Sequence, residues 1–243
     1  MQALASHRLP FPDELDLAPR CQRRVDTASE WLLGLRHAQV PFQADHSVMV
    51  LHGHPLVLRL GLHAAADRAL AGEPVLYLDG ANAFDPFVIG RLARAHRQAP
   101  RKILSLVHVA RAFTCHQMER LVSDCLEEAL TRYHARVAVV SGLFDTFYDE
   151  AVPSQEVGRL AGRMIQQLRQ LAQRGYVLVC LCPPTLAITR SRHRFLDQLC
   201  SQADRVIRVG EVPGQGTIRL EEEPRGQEAG QVWEVARTVL EQR

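Results

Sequence analysis

Apolar residues follow two alternating patterns from residue 47 onward. Short continuous apolar runs, typical of strands buried on both faces, cover residues 48–51, 75–78, 136–140 and 176–182. Between these runs, apolar residues recur every three or four positions, as in amphipathic helices, over residues 56–70, 86–95, 113–130 and 154–174. Strands that alternate with helices in this way predict an α/β domain with a mostly parallel central sheet flanked by helices.

The remaining apolar stretches extend this plan. Residues 102–109 are predicted to form a third strand. Residues 203–209 and 216–220 are predicted to form antiparallel edge strands, because a Pro-Gly-Gln-Gly turn at 213–216 joins them. Residues 231–242 are predicted to form a closing helix. Residues 1–46 are predicted to be an N-terminal arm in which a short helix carrying Trp31 follows Asp26, and residues 47–243 a single core domain.

Composition narrows the class of protein. The chain has 243 residues and is 47% hydrophobic, which is enough for a substantial core. Its formal net charge of +2 does not by itself indicate a nucleic-acid-binding protein. Six scattered cysteines suit a reducing compartment, and no apolar run reaches the roughly 18 residues that a membrane helix needs. We therefore expect a soluble cytoplasmic protein without membrane contact.

The turn after the first core strand lies where parallel α/β folds hold a phosphate. A phosphate-binding loop reads G-x-x-x-x-G-K-[ST], because glycines let backbone N–H groups approach the anion while Lys neutralises it and the hydroxyl holds the metal. From Gly53, this chain has Leu58 for the second glycine, Arg59 for Lys and Leu60 for the hydroxyl residue. Pro55 also removes one N–H donor. The pattern predicts the frame of a nucleotide site without its working groups.

Four segments, at residues 77–86, 107–117, 137–141 and 160–182, together resemble the RecA/RadA recombinase family. The string VHVARAFTCHQ at 107–117 is the most specific of them, since it is similar to the "ARAF/Y…HQ" stretch of that family. The resemblance implies a RecA-like P-loop NTPase fold over roughly residues 47–220. It also implies a role in DNA recombination or repair.

The chain departs from that family where the family does its chemistry. The resemblance places Ala81 at the position of the glutamate that activates water, and Ser141 at the position of the Walker B aspartate. Phosphoryl transfer depends on the base, the magnesium ligand and the cationic loop together. The resemblance therefore implies a degenerate remnant of a nucleotide site at Gly53, Arg59, Asp79 and Ser141, with no catalytic residue and with ATP and magnesium disfavoured as ligands. The alternative for Arg59 is a structural ion pair, with Asp79 as its candidate partner.

A basic cluster lies where the family's second DNA-binding loop would fall. It consists of Arg190, Arg192, His193 and Arg194. Arginine side chains there could contact DNA phosphates, whereas the alternative is an ordinary solvated helix surface. Phe195 is the one aromatic residue in the cluster that could stack on a base.

A histidine pair and a cysteine pair could ligate a metal, but neither is predicted to do so. His52 and His54 alternate at a strand end and could ligate zinc in a metal-dependent hydrolase, but later strand ends offer few further ligands, so no metal site is predicted. Cys180 and Cys182 point to one face of an apolar strand and are predicted to belong to the core.

The leading hypothesis is a non-catalytic, RecA/RadA-like accessory protein of DNA recombination or repair. It would bind a recombinase, a recombinase paralogue or a second copy of itself, with single-stranded DNA as a further candidate ligand. The alternative is a degenerate ATP-binding protein or ATPase whose site a partner subunit completes.

Overall fold

A computed structural model describes residues 22–24, 47–148, 152–184, 190–224 and 230–241. Of residues 22–24 and 190–193 the backbone alone is described. The helix predicted after Asp26 lies outside these ranges.

The described strands form one nine-stranded sheet. They are β1 (Gln22–Arg24), β2 (Ser47–His52), β3 (Val75–Asp79), β4 (Val107–Arg111), β5 (Val137–Ser141), β6 (Val177–Cys182), β7 (Arg205–Val212), β8 (Thr217–Glu222) and β9 (Val232–Ala236). Their order across the sheet is β1-β9-β8-β7-β2-β6-β5-β3-β4. The six strands from β7 to β4 run parallel, whereas β8 pairs antiparallel with β7 and β9. The predicted α/β class, with a mostly parallel sheet and antiparallel C-terminal strands, is confirmed.

Helices cover both faces of the sheet. They are α1 (Val57–Leu70), α2 (Pro86–Ala95), α3 (Pro100–Leu104), α4 (Cys115–Arg120), α5 (Leu126–Arg132), α6 (Ser154–Gln173), α7 (Arg190–Gln202) and α8 (Arg237–Glu241). Because successive strand residues point to opposite faces, Met49 and Leu51 pack with α1, α2, α3 and α8, while Val48 and Val50 pack with α4, α5, α6 and α7. The sheet is thus the middle layer between two apolar cores.

Three sequence predictions of local structure are wrong. Residues 100–104 form α3 rather than the start of a strand, since Pro100 suits the first turn of a helix and Ile103 is buried beneath it. The predicted helix at 113–130 is interrupted by a π-helical turn, Leu121–Cys125. The predicted closing helix begins instead as β9, because Val232, Trp233 and Val235 extend the sheet beside β8.

The strands predicted to be edge strands are interior. Both β7 and β8 have neighbours on each side, because β9 and β1 extend the sheet beyond them. The edges of the sheet, among the described strands, are β1 and β4. In the described part of the chain, no helix combines the length and the apolar character that crossing a bilayer requires.

Candidate functional site at the carboxyl ends of the strands

The carboxyl ends of the parallel strands bring the predicted nucleotide-site residues to one edge of the sheet. Asp79, the last residue of β3, lies opposite Ser141 on β5 and Arg111 on β4. The helices that follow β2 and β3 pack on one face of the sheet, whereas those that follow β5 and β6 pack on the other. Connections that diverge in this way open the crevice where α/β folds bind ligands.

The turn after β2 is shaped by Gly53. Its φ of +101° is a conformation that favours glycine, and a Cβ atom at this position would lie 2.9 Å from the carbonyl oxygen of Val209 on β7. The glycine therefore lets the turn lie directly against the backbone of β7.

The backbone N–H groups of this turn are already bonded within the turn. The Leu56 N–H donates to His54 Nδ1 at 3.2 Å and the Val57 N–H donates to the His54 carbonyl at 3.1 Å. The Leu58 N–H donates to the Pro55 carbonyl at 3.3 Å. A phosphate cradle needs such groups free to face the anion. In this turn the histidine side chain occupies one donor that a phosphate would use.

Two glutamates from the antiparallel part of the sheet face the same turn. His52 Nε2 lies 3.5 Å from Glu223 Oε1, without the geometry of a hydrogen bond, and His54 Nε2 lies 3.9 Å from Glu211 Oε2. Carboxylates at this distance from the turn oppose the approach of a polyanion such as triphosphate. They also direct the two imidazoles to separate partners. Among the described residues there is no group of three His, Cys, Asp or Glu side chains that could hold a metal ion.

Arg59, at the start of α1, pairs with Asp85 and not with Asp79. The Arg59 Nη1 to Asp85 Oδ2 distance is 3.4 Å, and both side chains are about one third exposed. Asp85 also caps α2, since its Oδ1 accepts from the Phe87 N–H at 2.9 Å. The structural ion pair predicted as the alternative for Arg59 is therefore present, with a different partner.

Asp79 is fully buried and its carboxylate is fully engaged. Its Oδ1 accepts from the Ala83 N–H at 2.9 Å, and its Oδ2 accepts from the Phe84 N–H at 3.1 Å. Arg111 Nε donates to the same Oδ2 at 3.1 Å. Asp79 thus fixes the β3–α2 turn to the end of β4. A carboxylate with these three donors is a structural clamp for the turn.

Ser141, at the Walker B position of the resemblance, is buried. Its Oγ and the hydroxyl of Tyr77 do not meet the geometry of a hydrogen bond with a described residue, but the two side chains interact, since Ser141 acts against the rise that burial causes in the pKa of Tyr77. Both residues point to the α1 face of the sheet, because Tyr77 lies opposite Val139 and Asp79 lies opposite Ser141. Burial raises the pKa of Tyr77, so its hydroxyl stays protonated.

Small residues bring the turns after β3 and β5 into close contact. The Gly80 N–H donates to the Ser141 carbonyl at 2.8 Å. Gly142 has a φ of +61°, and a Cβ atom there would lie 2.6 Å from the Cβ of Ala81. Asp145 lies beside Gly142, and burial raises the pKa of its carboxyl group to about 6. Ala81, where the resemblance expects a catalytic glutamate, is thus a packing residue.

The basic cluster predicted to bind DNA lies in the first turns of α7, and of its four side chains only Arg194 is described. The Arg194 guanidinium carbon lies 5.4 Å from the ring centroid of Phe195. Phe195 is only 2% exposed and packs near Phe144 in the core. The suggestion that Phe195 could stack on a base is therefore wrong. DNA binding by Arg190, Arg192, His193 and Arg194 stays a prediction.

Cys180 and Cys182 are core residues, as predicted. Both are buried on β6, and burial raises the pKa of each thiol. A neutral, inaccessible thiol is a poor nucleophile and a poor metal ligand.

A second surface feature lies at the β4 edge of the sheet. An open apolar groove of about 320 Å³ runs between the edge strand and the π-helical turn. Its lining includes Leu76, Leu78, His108, Ala110, Leu121 and Ala129. At its rim the rings of His108 and Tyr133 are stacked, with centroids 3.7 Å apart, and Tyr133 is 39% exposed. Sequence patterns did not predict this groove, because it requires both the β4 edge and the interrupted helix.

Comparison with models of known protein families finds no match to this chain, and no curated protein matches it. Its functional class therefore has to be argued from the site and the surface.

Proposed function

We propose that this chain is a non-catalytic, RecA/RadA-like accessory protein of DNA recombination or repair that acts through protein–protein contacts. The observation that carries the contact is the apolar groove beside β4. Leu76 and Leu78 form the floor of the groove, which is open along the outer edge of β4. This shape suits an extended apolar segment of a partner, such as a recombinase, a recombinase paralogue or a second copy. The family itself is proposed on the strings at residues 77–86 and 107–117.

The absence of turnover is proposed from the condition of the crevice. The three N–H groups at Leu56, Val57 and Leu58 are bonded within their own turn, and the Asp79 carboxylate is committed to Arg111 and the β3–α2 turn. Ala81 and Ser141 supply neither a carboxylate base nor a carboxylate ligand for magnesium. Single-stranded DNA is proposed as a further ligand of the protein. No cofactor is proposed. The alternative is a degenerate ATP-binding protein or ATPase whose site a partner subunit completes.

The groove is tested by adding charge inside it. The double variant Ala110→Glu, Ala129→Glu buries carboxylates where an apolar segment would lie, so we expect at least tenfold weaker binding to a purified RecA-family recombinase, or weaker self-association if the partner is a second copy. Thr131→Glu, on the same helix but outside the groove, is the matched control and should leave binding unchanged.

Fluorescence anisotropy with labelled recombinase and sedimentation of the protein alone measure both outcomes. Equal binding by the groove variant and the wild type would remove the groove from the proposal. Magnesium-dependent ATP hydrolysis that disappears in Arg59→Ala would contradict the non-catalytic assignment.

A further inference from the structure

The stretch from residue 86 to residue 118 has an unusual charge pattern. It contains no aspartate or glutamate but six basic residues, Arg91, Arg94, Arg97, Arg101, Lys102 and Arg111. Five of the six lie on α2, on α3 or in the turn between them. The formal net charge of the whole chain is only +2, so this concentration is local.

Most of these charges are exposed and have no opposite charge beside them. Arg94, Arg97, Arg101 and Lys102 are exposed, and none of the four forms an ion pair with a described residue. At the nearby end of α1, Glu73 pairs with Arg68 at 2.6 Å, whereas Asp67 is a carboxylate outside the ion pairs of the described residues. We define these four residues as the α2–α3 basic surface.

The arginines of the antiparallel strands behave differently. Arg205 pairs with Glu222 at 2.6 Å and Arg208 with Glu221 at 2.7 Å. In the same way Arg219 pairs with Glu234, and Arg237 pairs with Glu211. Arginines in this protein are therefore commonly neutralised by a neighbour, which makes the α2–α3 basic surface distinct.

An exposed aromatic residue continues this surface along α2. Phe87 is 74% exposed, although the apolar stripe of the same helix, at Val88, Ile89 and Ala93, is buried. Phe87, Arg91 and Arg94 are spaced by four and three residues, so they share one side of the helix over about 10 Å. A ring in line with cationic side chains is the combination that binds single strands, in which bases stack and phosphates are neutralised.

From this arrangement we propose that the α2–α3 basic surface, together with Phe87, binds single-stranded nucleic acid through its phosphates and one stacked base. A bilayer surface fits less well, since α2 has already buried its apolar stripe in the core and presents a single exposed aromatic residue. An acidic protein segment would use the cations but would have no need of an aligned ring.

This inference deepens the nucleic-acid part of the proposed function, because it assigns that contact to α2 and α3 in place of the Arg190–Arg194 cluster. It lies on the α1 face of the sheet, whereas α7 lies on the opposite face. The two surfaces can therefore be tested separately.

The test compares two triple variants that remove the same charge. Arg94→Gln, Arg97→Gln, Arg101→Gln removes three of the four cations of the surface. The control, Arg120→Gln, Arg136→Gln, Arg159→Gln, removes three exposed arginines that lie elsewhere on the molecule and form no ion pair with described residues. The probe is a fluorescein-labelled 20-nucleotide oligo-dT, titrated at several salt concentrations. Thermal melts of each variant confirm that the fold is kept.

We expect the surface variant to bind at least tenfold more weakly than wild type, and its log affinity to fall less steeply with log salt by about 2, since each single-strand phosphate contact contributes about 0.7. The control triple should bind within twofold of wild type. Phe87→Ala should weaken binding of oligo-dT about fivefold or more but leave binding of inorganic polyphosphate, which has no bases, unchanged.

The inference is overturned if wild type does not bind oligo-dT at 50 mM salt, if both triple variants weaken binding equally, or if the protein binds phosphatidylserine vesicles alone. It is also overturned if polyglutamate binds as tightly as oligo-dT and Phe87→Ala leaves oligo-dT binding unchanged. Loss of DNA binding in Arg190→Ala, Arg192→Ala, Arg194→Ala but not in the surface variant would also overturn it. Recombinase binding through the β4 groove without any DNA binding would defeat this inference and leave the proposed function intact. DNA binding by the α2–α3 basic surface without recombinase binding or self-association through the groove would defeat the proposed function and leave this inference intact.

Discussion

Single residues at the strand ends are held by structural partners. Asp79 accepts from two backbone N–H groups and from Arg111, and Arg59 is held by Asp85. The sequence correctly predicted that Arg59 could be a structural cation. It could not supply the correct partner, because Asp85 comes near only after α2 is placed beside α1.

Replacing Asp79 tests the clamp that it forms. Asp79→Ala leaves the Ala83 and Phe84 N–H groups and the Arg111 guanidinium without their acceptor, so we expect a loss of about 3 kcal/mol in the free energy of unfolding. For a chain of this length that corresponds to a fall in Tm of about 6–12 °C. Arg111→Gln removes one partly exposed donor and should cost no more than about 1 kcal/mol. Equal effects of the two changes in denaturant titrations would contradict the clamp.

The pH dependence of stability has a contribution from His63 on α1. Burial, with Arg59 and Arg91 nearby, lowers its pKa from 6.5 to about 4. Because the folded-state pKa lies below the unfolded-state value, the unfolded chain binds a proton first, and stability present above pH 6.5 is lost as the pH falls toward about 4.

The full span of this effect is about 3 kcal/mol. His63→Leu should flatten the fall in unfolding free energy between pH 7 and pH 4, measured by urea unfolding.

Burial of Asp145 acts in the opposite direction, because its pKa is raised from 3.8 to about 6 and its contribution weakens stability as the pH rises through that range. The comparison is therefore made between variant and wild type at each pH, and an unchanged difference across the range would contradict the assignment to His63.

Among the elements, α1 shows how closely a helix is fitted to the sheet. A Cβ atom on Gly61 would overlap the side chain of Leu181 and lie 3.3 Å from Val139 Cγ1. Gly162, on α6, has nothing within 4 Å of the same position. Both glycines lie inside helices, but a Cβ atom would overlap core atoms at Gly61 and would contact nothing at Gly162.

This contrast predicts opposite effects of one substitution. Gly61→Ala gains helix propensity of about 1 kcal/mol but forces Leu181 to move within a close-packed core, so we expect a net loss of about 1–2 kcal/mol in unfolding free energy. Gly162→Ala has the propensity gain alone and should stabilise the protein by about 0.5–1 kcal/mol. Chemical denaturation of both variants decides the matter, and stabilisation by Gly61→Ala would show that the α1 packing is looser than described.

Element boundaries show where local pattern stops being informative. Strands β2, β3, β5 and β6 were predicted nearly to the residue, since each is a continuous apolar run buried on both faces. Residues 232–236 were mistaken for part of the closing helix, because Val235 and Val239, four residues apart, fit a helical spacing, and only the pairing of Trp233 and Val235 with β8 makes this stretch a strand. Asp79 and Ser141, which the sequence assigned to a nucleotide site, lie together at the carboxyl ends of the strands, but Glu211 and Glu223 were not anticipated, since they come from β7 and from the residue after β8.

At the scale of the whole molecule, the state of the crevice makes a prediction about nucleotide binding. A ligand present at 100 times its dissociation constant stabilises a protein by about 2.7 kcal/mol, which would raise Tm here by about 5–10 °C. With its turn donors bonded internally and Glu211 and Glu223 facing the turn, we expect 1 mM ATP with magnesium to shift Tm by less than about 1 °C. A large, magnesium-dependent shift in differential scanning fluorimetry would favour the alternative of an ATP-binding protein.

The uneven distribution of charge has a consequence for how the molecule moves toward other molecules. Exposed cationic side chains concentrate on α2 and α3 without ion-pair partners among the described residues, so this surface is a local source of positive potential on a molecule whose net charge is only +2. In the field of a polyanion the molecule experiences a torque that turns this surface forward before contact, so productive encounters become more frequent at low ionic strength and lose that advantage as salt shortens the range of the field.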